Sequence, residues 1–228
     1  MTHTETLQQF LLNRLWRMAL ATVGLVFFSF GLYLQLVADV GLAPWQVLNE
    51  GLFLHLPITF GQTSILISLI VVATDLLLRE AIGVGTILDA LVVGWATDFF
   101  LWLEPVKKPD SFLMAVVLLL LGTVAACVSQ YIYMKAALSC GPRDALLVAV
   151  GKRLPRIPIG TVNILMTAVV LAAGWALGGT VGVGTLITLF GTGIIMDLVF
   201  KVLRFEPRTI VHEGLTQTIA ALKAALTR

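Results

Sequence analysis

Residues 83–98, GVGTILDALVVGWATD, return as residues 182–197, GVGTLITLFGTGIIMD, with Gly83, Gly85, Thr86, Gly94 and Asp98 falling on Gly182, Gly184, Thr185, Gly193 and Asp197. The duplication continues upstream. Gly61 matches Gly160 in the same register, and after a one-residue shift Gly24, Tyr33, Pro44 and Leu48 match Gly122, Tyr131, Pro142 and Leu146. The matches are mostly glycines, prolines and acids set in an apolar background, so biased composition alone would not align them in order. Duplicated hydrophobic halves are a building plan of transporters, which place their sites between the halves.

The background is that of a membrane protein. The chain has 228 residues, of which 58% are hydrophobic and 12% charged, and its mean hydropathy is +0.97. Soluble chains carry about 25% charge. A net charge of +2, with no basic stretch interleaved with aromatics, gives no reason to expect a nucleic-acid partner. Cys127 and Cys140 lack a CxxC spacing or a nearby His and read as inert thiols, so no metal or other cofactor is expected.

Six stretches reach the roughly 20 residues that a bilayer core demands: Met18 to Ala38, Gly61 to Leu78, Gly85 to Leu103, Phe112 to Met134, Ile159 to Leu177 and Gly184 to Phe200. The first, uncharged and preceded by Arg14 and Arg17, looks like a signal peptide, whose apolar region runs about 7 to 15 residues, but is too long for one and reads as a retained span. Between the first two spans of each half lies a shorter apolar piece, Pro44 to Leu56 and Pro142 to Leu154, opened by a proline that suits a first helical position. Helices of that length reach about 20 Å and cannot cross. The expected fold is therefore all-α and polytopic: two three-span repeats, each with a short partial helix, at 18–103 and 112–204. A cytoplasmic lead-in (1–17), a periplasmic loop (104–111) and a cytoplasmic amphipathic tail (205–228) complete the division.

Three spans per half is an odd number, so the second repeat enters the membrane inverted. With both termini cytoplasmic, only Lys107 and Lys108 of the 15 Lys and Arg lie outside, as the positive-inside rule requires. Counting the short pieces as spans gives eight crossings and parallel repeats; their length argues against it.

Acids within spans are costly and face cavities, ions or partners. Asp75, Asp89, Asp98 and Asp197 are candidates for ion or proton coupling, and Asp98 and Asp197 could instead reach headgroups or pair with a cation. Asp75 matches Gly174 and Asp89 matches Thr188, so each deep acid belongs to the first half alone. Gly83, Gly85 and Thr86, with Gly182, Gly184 and Thr185, open helices whose free amides favour anions; close helix packing is the competing reading. Pro44 and Trp45, and Pro142, Arg143 and Asp144, open the short helices. In an inverted repeat these would approach a midplane site from opposite faces, or else lie at the interface with Trp45 as a belt residue. No HExxH, GxSxG or nucleophile beside a His occurs in the membrane portion, so the expectation is a non-enzyme.

The pattern Gly41-x-x-Pro44-Trp45-x-x-Leu48, Gly83-x-Gly85-Thr86, Asp98 and Gly141-Pro142-Arg143-Asp144-Ala145-Leu146 resembles the bacterial YczE/YitT-type integral membrane proteins, most closely the YczE branch. The likeness runs from Gly24 to Phe200. That branch often reads Pro-Trp-Asp at the first motif, where this chain has Gln46; Asp144 keeps an acid in the second copy. The resemblance implies a bacterial inner-membrane location and a polytopic fold, without a substrate. The expected function is secondary transport or export of an unidentified small solute, an anion being one candidate, and the alternative is a membrane scaffold assisting a biosynthetic or secretion system. The expected partners are the lipid bilayer and the solute, with a homodimer left open.

Overall fold

The computed structural model describes residues 7–80, 82–139 and 141–205. Among them are eight helices: α1 (Leu7–Ala38), α2 (Pro44–Phe53), α3 (Phe60–Leu77), α4 (Val84–Leu103), α5 (Phe112–Ala136), α6 (Pro142–Arg153), α7 (Ile159–Ala176) and α8 (Val183–Val202). Six are long and apolar enough to span a bilayer; α2 and α6, of 10 and 12 residues, are not among them. At 1.5 Å per residue they measure about 15 and 18 Å. The first span is longer than the hydropathy pattern suggests, because α1 is already helical from Leu7, through part of the segment read as a lead-in. The amphipathic stripe expected in the tail lies outside the described residues.

Local chemistry sets the helix starts. Pro44 and Pro142 take the first helical positions of α2 and α6, where an amide hydrogen has no intrahelical partner. Thr59 accepts from the Gln62 amide while its own amide donates to the Gln62 side chain, a reciprocal cap on α3. The Thr86 and Thr185 hydroxyls accept from the amides of Gly83 and Gly182, three residues earlier, fixing the entries of α4 and α8.

The centre is an antiparallel pair of α1 and α5. Gly24 lies against Tyr133 and Gly31 against Gly122, so closely that a Cβ on Gly31 would stand 2.7 Å from the Gly122 carbonyl oxygen and one on Gly122 2.6 Å from that of Gly31. Without hydrophobic drive between lipid-facing helices, such close backbone contact supplies the dispersion energy that holds them. α4 packs on α1, and α8 on α5. α2 packs on α7, and α6 on α3; α2 also meets α3, and α6 meets α7. One relation is not repeated. α3 packs along α4, whereas α7 and α8 do not pack along each other.

Polar contacts gather at the two ends of the bundle. At one end Arg17 donates to the Ala136 and Ala137 carbonyls at 2.7 and 3.0 Å, Arg153 to the Leu78 carbonyl at 2.7 Å, and Lys152 pairs with Glu80. At the other, the Tyr33 hydroxyl donates to the Val106 carbonyl at 2.7 Å, Lys108 pairs with Asp39, and the Gly184 amide donates to the Val40 carbonyl at 2.7 Å.

Candidate functional site

Between the α1/α5 pair and the start of α6 is a cavity of about 250 Å³. Asp89 and Val93 of α4 face it, as do Ser64 and Ser68 of α3, Ser129, Gln130 and Tyr133 of α5, and Thr192 and Met196 of α8. Pro142, Arg143 and Asp144 at the first turn of α6 close one wall. Leu25 and Phe28 of α1 make another part apolar.

Arg143 is the centre of the polar side. Its guanidinium lies 4.8 Å from the centroid of the Trp45 ring, at the start of α2. A planar guanidinium stacks on an aromatic face while its edge stays available for hydrogen bonds. Arg143 also interacts electrostatically with both Asp89 and Asp144. Asp89 gets this close because Gly141 has no side chain: a Cβ there would run into the Asp89 carboxylate. Two carboxylates and one guanidinium leave the group with a net negative charge when all three are ionised.

The two short helices therefore meet head to head, α2 through Trp45 and α6 through Arg143, beside a cavity that also exposes Asp89. Of the residues singled out in the sequence, Asp89, Pro142, Arg143 and Asp144 line this space. Trp45 supports Arg143, and Pro44 is buried at the same helix start.

The others stand elsewhere. Gly85 and Thr86 pack against the residues just before α6: the Thr86 amide donates to the Ser139 hydroxyl at 2.7 Å, and a Cβ on Gly85 would meet that hydroxyl at 2.7 Å; the Gly83 amide donates locally to the Thr86 hydroxyl. Gly182 and Gly184 pack in the corresponding way against Val40 and Gly41, before α2, while Thr185 bonds back to Gly182. The amides of Thr86 and Gly184 thus already have protein acceptors. Asp98 binds the start of α3, accepting from the Gly61 amide at 2.7 Å and from the Thr59 hydroxyl. Asp197 is exposed on α8. Asp75 is fully buried in α3, away from the cavity lining, and neither of its carboxyl oxygens has a hydrogen-bond partner among the described residues.

Motif and spacing do not single out Tyr133, Ser129, Ser64, Ser68 or Ser139. A signal for some of them is present in the chain: Ser64 and Ser68, and Ser129 and Tyr133, are polar pairs four residues apart, hence on one face of an apolar helix.

Residues 15–201 match the family described as "Family of unknown function (DUF6198)". The chain belongs to this family. It is 30% identical over 207 residues to the "Uncharacterized membrane protein YczE" of Bacillus subtilis (strain 168), covering 89% of this chain and 92% of that protein. It is 25% identical over 198 residues to an "Uncharacterized protein" of Haemophilus influenzae, covering 85% and 89%. The YczE likeness read from the glycine, proline and acid pattern is thereby established over most of the chain, as is a multi-pass membrane protein of that family. No solved structure matches.

Proposed function

We propose that this protein is a small secondary transporter whose halves form inverted three-span repeats around the α1/α5 pair, with one site at Arg143. The observation that carries this reading is the meeting of α2 and α6 at Trp45 and Arg143 beside the cavity. Broken helices whose starts converge between two repeats are how transporters build a midplane site. The antiparallel course of α1 and α5, and the recurrence of the α1/α4, α2/α7 and α2/α3 contacts as α5/α8, α6/α3 and α6/α7, support the inverted arrangement. So does charge. Arg17, Lys152 and Arg153 lie at one end, while Lys108 meets Asp39 at the other; the positive-inside rule then makes the first end cytoplasmic.

In this reading Arg143 holds the anionic group of the solute, held flat by Trp45, and Asp89 takes the coupling proton or cation. An acid at membrane depth facing a cavity suits that role. Uptake and efflux profiling of a deletion strain, followed by flux in vesicles, tests it. Asp89→Asn keeps the shape of the side chain and is expected to give normally folded protein that has lost most flux or its dependence on the ion gradient. An Asp89→Asn chain with the parent's flux and pH profile removes that residue from the coupling step. The engagement of Asp98 in capping α3, away from the cavity, favours a second reading, a membrane scaffold, in which no solute flux is found at all.

Orientation has its own test. A cysteine at Lys107 is expected to react with an impermeant thiol reagent in intact cells; reaction only after lysis would place the loop inside and overturn the inverted arrangement.

A further inference from the structure

The duplicated segment carries the same four residues twice, in two different states. In the first half Gly61 and Ile65 of α3 pack on Gly94 and Asp98 of α4: a Cβ on Gly94 would lie 2.5 Å from both the Gly61 carbonyl oxygen and the Ile65 side chain. Asp98 fastens the pair by capping α3. The matching set in the second half is Gly160, Ile164, Gly193 and Asp197, identical residue for residue. All four are exposed, Ile164 by 68%, and a Cβ on Gly160 or Gly193 would meet nothing within 4 Å. The start of α7 correspondingly has no side-chain cap, since Pro158 stands where α3 has Thr59.

We infer that Asp98 and Asp197 are the catches of two equivalent latches, α3/α4 closed and α7/α8 open in this structure, and that the protein also adopts a state in which α7/α8 closes. The two latches lie at opposite ends of the bundle: Asp98 at the end of Asp39 and Lys108, Gly160 just beyond Arg153 at the other. Thr192 and Met196, beside Gly193 and Asp197, line the cavity, so opening at this latch leads toward it. The closure stands on the duplicated packing alone; only its use, exposing the Arg143 site to one side and then the other, rests on the transport reading.

The sequence also explains which latch is open here. Asp98 accepts two hydrogen bonds, from Gly61 and Thr59, whereas Asp197 on a closed α7 would have the Gly160 amide and no hydroxyl from Pro158. One hydrogen bond fewer makes the second latch the weaker one, and a two-state element rests with its weaker contact broken.

Nitroxide pairs measure this. In a chain with both native cysteines replaced by alanine, labels at Leu165 and Ile194 report α7/α8 and labels at the matching Leu66 and Trp95 report α3/α4. The expected result is two separations for the first pair, the shorter equal to that of the second pair. Pro158→Thr restores the missing hydroxyl and is expected to enrich the shorter separation roughly fivefold, the population shift of one net hydrogen bond. Gly193→Leu has open space around it in this structure, so it should fold as the parent does and lose the shorter separation; Asp197→Asn should deplete it without adding bulk. A single, longer separation, unmoved by Pro158→Thr and by Asp98→Asn, would overturn the latch. Latch movement without flux of any solute would sink the transport reading and leave the latch standing, whereas flux with an immobile α7/α8 would do the reverse.

Discussion

Gly41→Val is expected to abolish accumulation of folded protein. Gly41 has φ of +107°, a backbone region that side chains disfavour, and any Cβ there would stand 2.6 Å from the Gly182 amide nitrogen and 2.7 Å from its Cα. Backbone strain and overpacking are each worth about 1–3 kcal/mol. Together they remove a large part of the roughly 5–15 kcal/mol that holds a typical domain folded. The contact cannot relax cheaply, because the same loop supplies the Val40 carbonyl that accepts from the Gly184 amide. Gly160→Ala serves as the control: its Cβ meets no neighbour, and monodisperse yield from detergent extraction is expected to match the parent. Equal yields from the two variants would mean that the Gly41/Gly182 approach does not hold the halves together.

The second large effect is expected at Arg143. Arg143→Met preserves length and much of the contact with Trp45 but leaves Asp89 and Asp144 facing one another without their shared cation. Arg143 and Asp89 are half-buried and Asp144 is exposed, so solvent screening brings the cost below the roughly 3–5 kcal/mol of a fully buried pair; a measurable fall in Tm along with loss of any flux is expected. Arg143→Lys separates charge from geometry. A lysine restores the positive charge yet lacks the planar group that stacks on the ring and forks toward an anion, so it is expected to recover most of the stability and little of the flux. Full flux in Arg143→Lys would show that charge alone is used, and full flux in Arg143→Met would exclude the site.

Much of the architecture is legible in the sequence. The six spans follow from hydropathy and length, and the two short helices from a proline at each start and too few residues to cross. The start of α6 as a polar wall is visible in Gly141-Pro142-Arg143-Asp144, because charges in an apolar stretch need a partner or water. What the one-dimensional pattern does not supply is partnership across the bundle. Asp98 and Asp197 are the same residue at matching positions of the repeat, yet one caps a helix and the other is exposed; the difference lies in where α3 and α7 stand relative to α4 and α8. The Gly-x-Gly-Thr starts look open to an anion because the sequence shows their missing side chains and hides Ser139 and Val40, which fill the space.

The stacking of Arg143 on Trp45 also makes the interior optically addressable. Trp16, Trp95, Trp102 and Trp175 are all largely exposed, while Trp45 is half-buried and lies against the Arg143 guanidinium. With the four outer indoles changed to phenylalanine, the emission of the remaining one reports on a single place in the molecule. A solute that draws the guanidinium off the ring alters the field across that indole, so occupancy can be followed by fluorescence without a flux assay and across a panel of chemically diverse solutes.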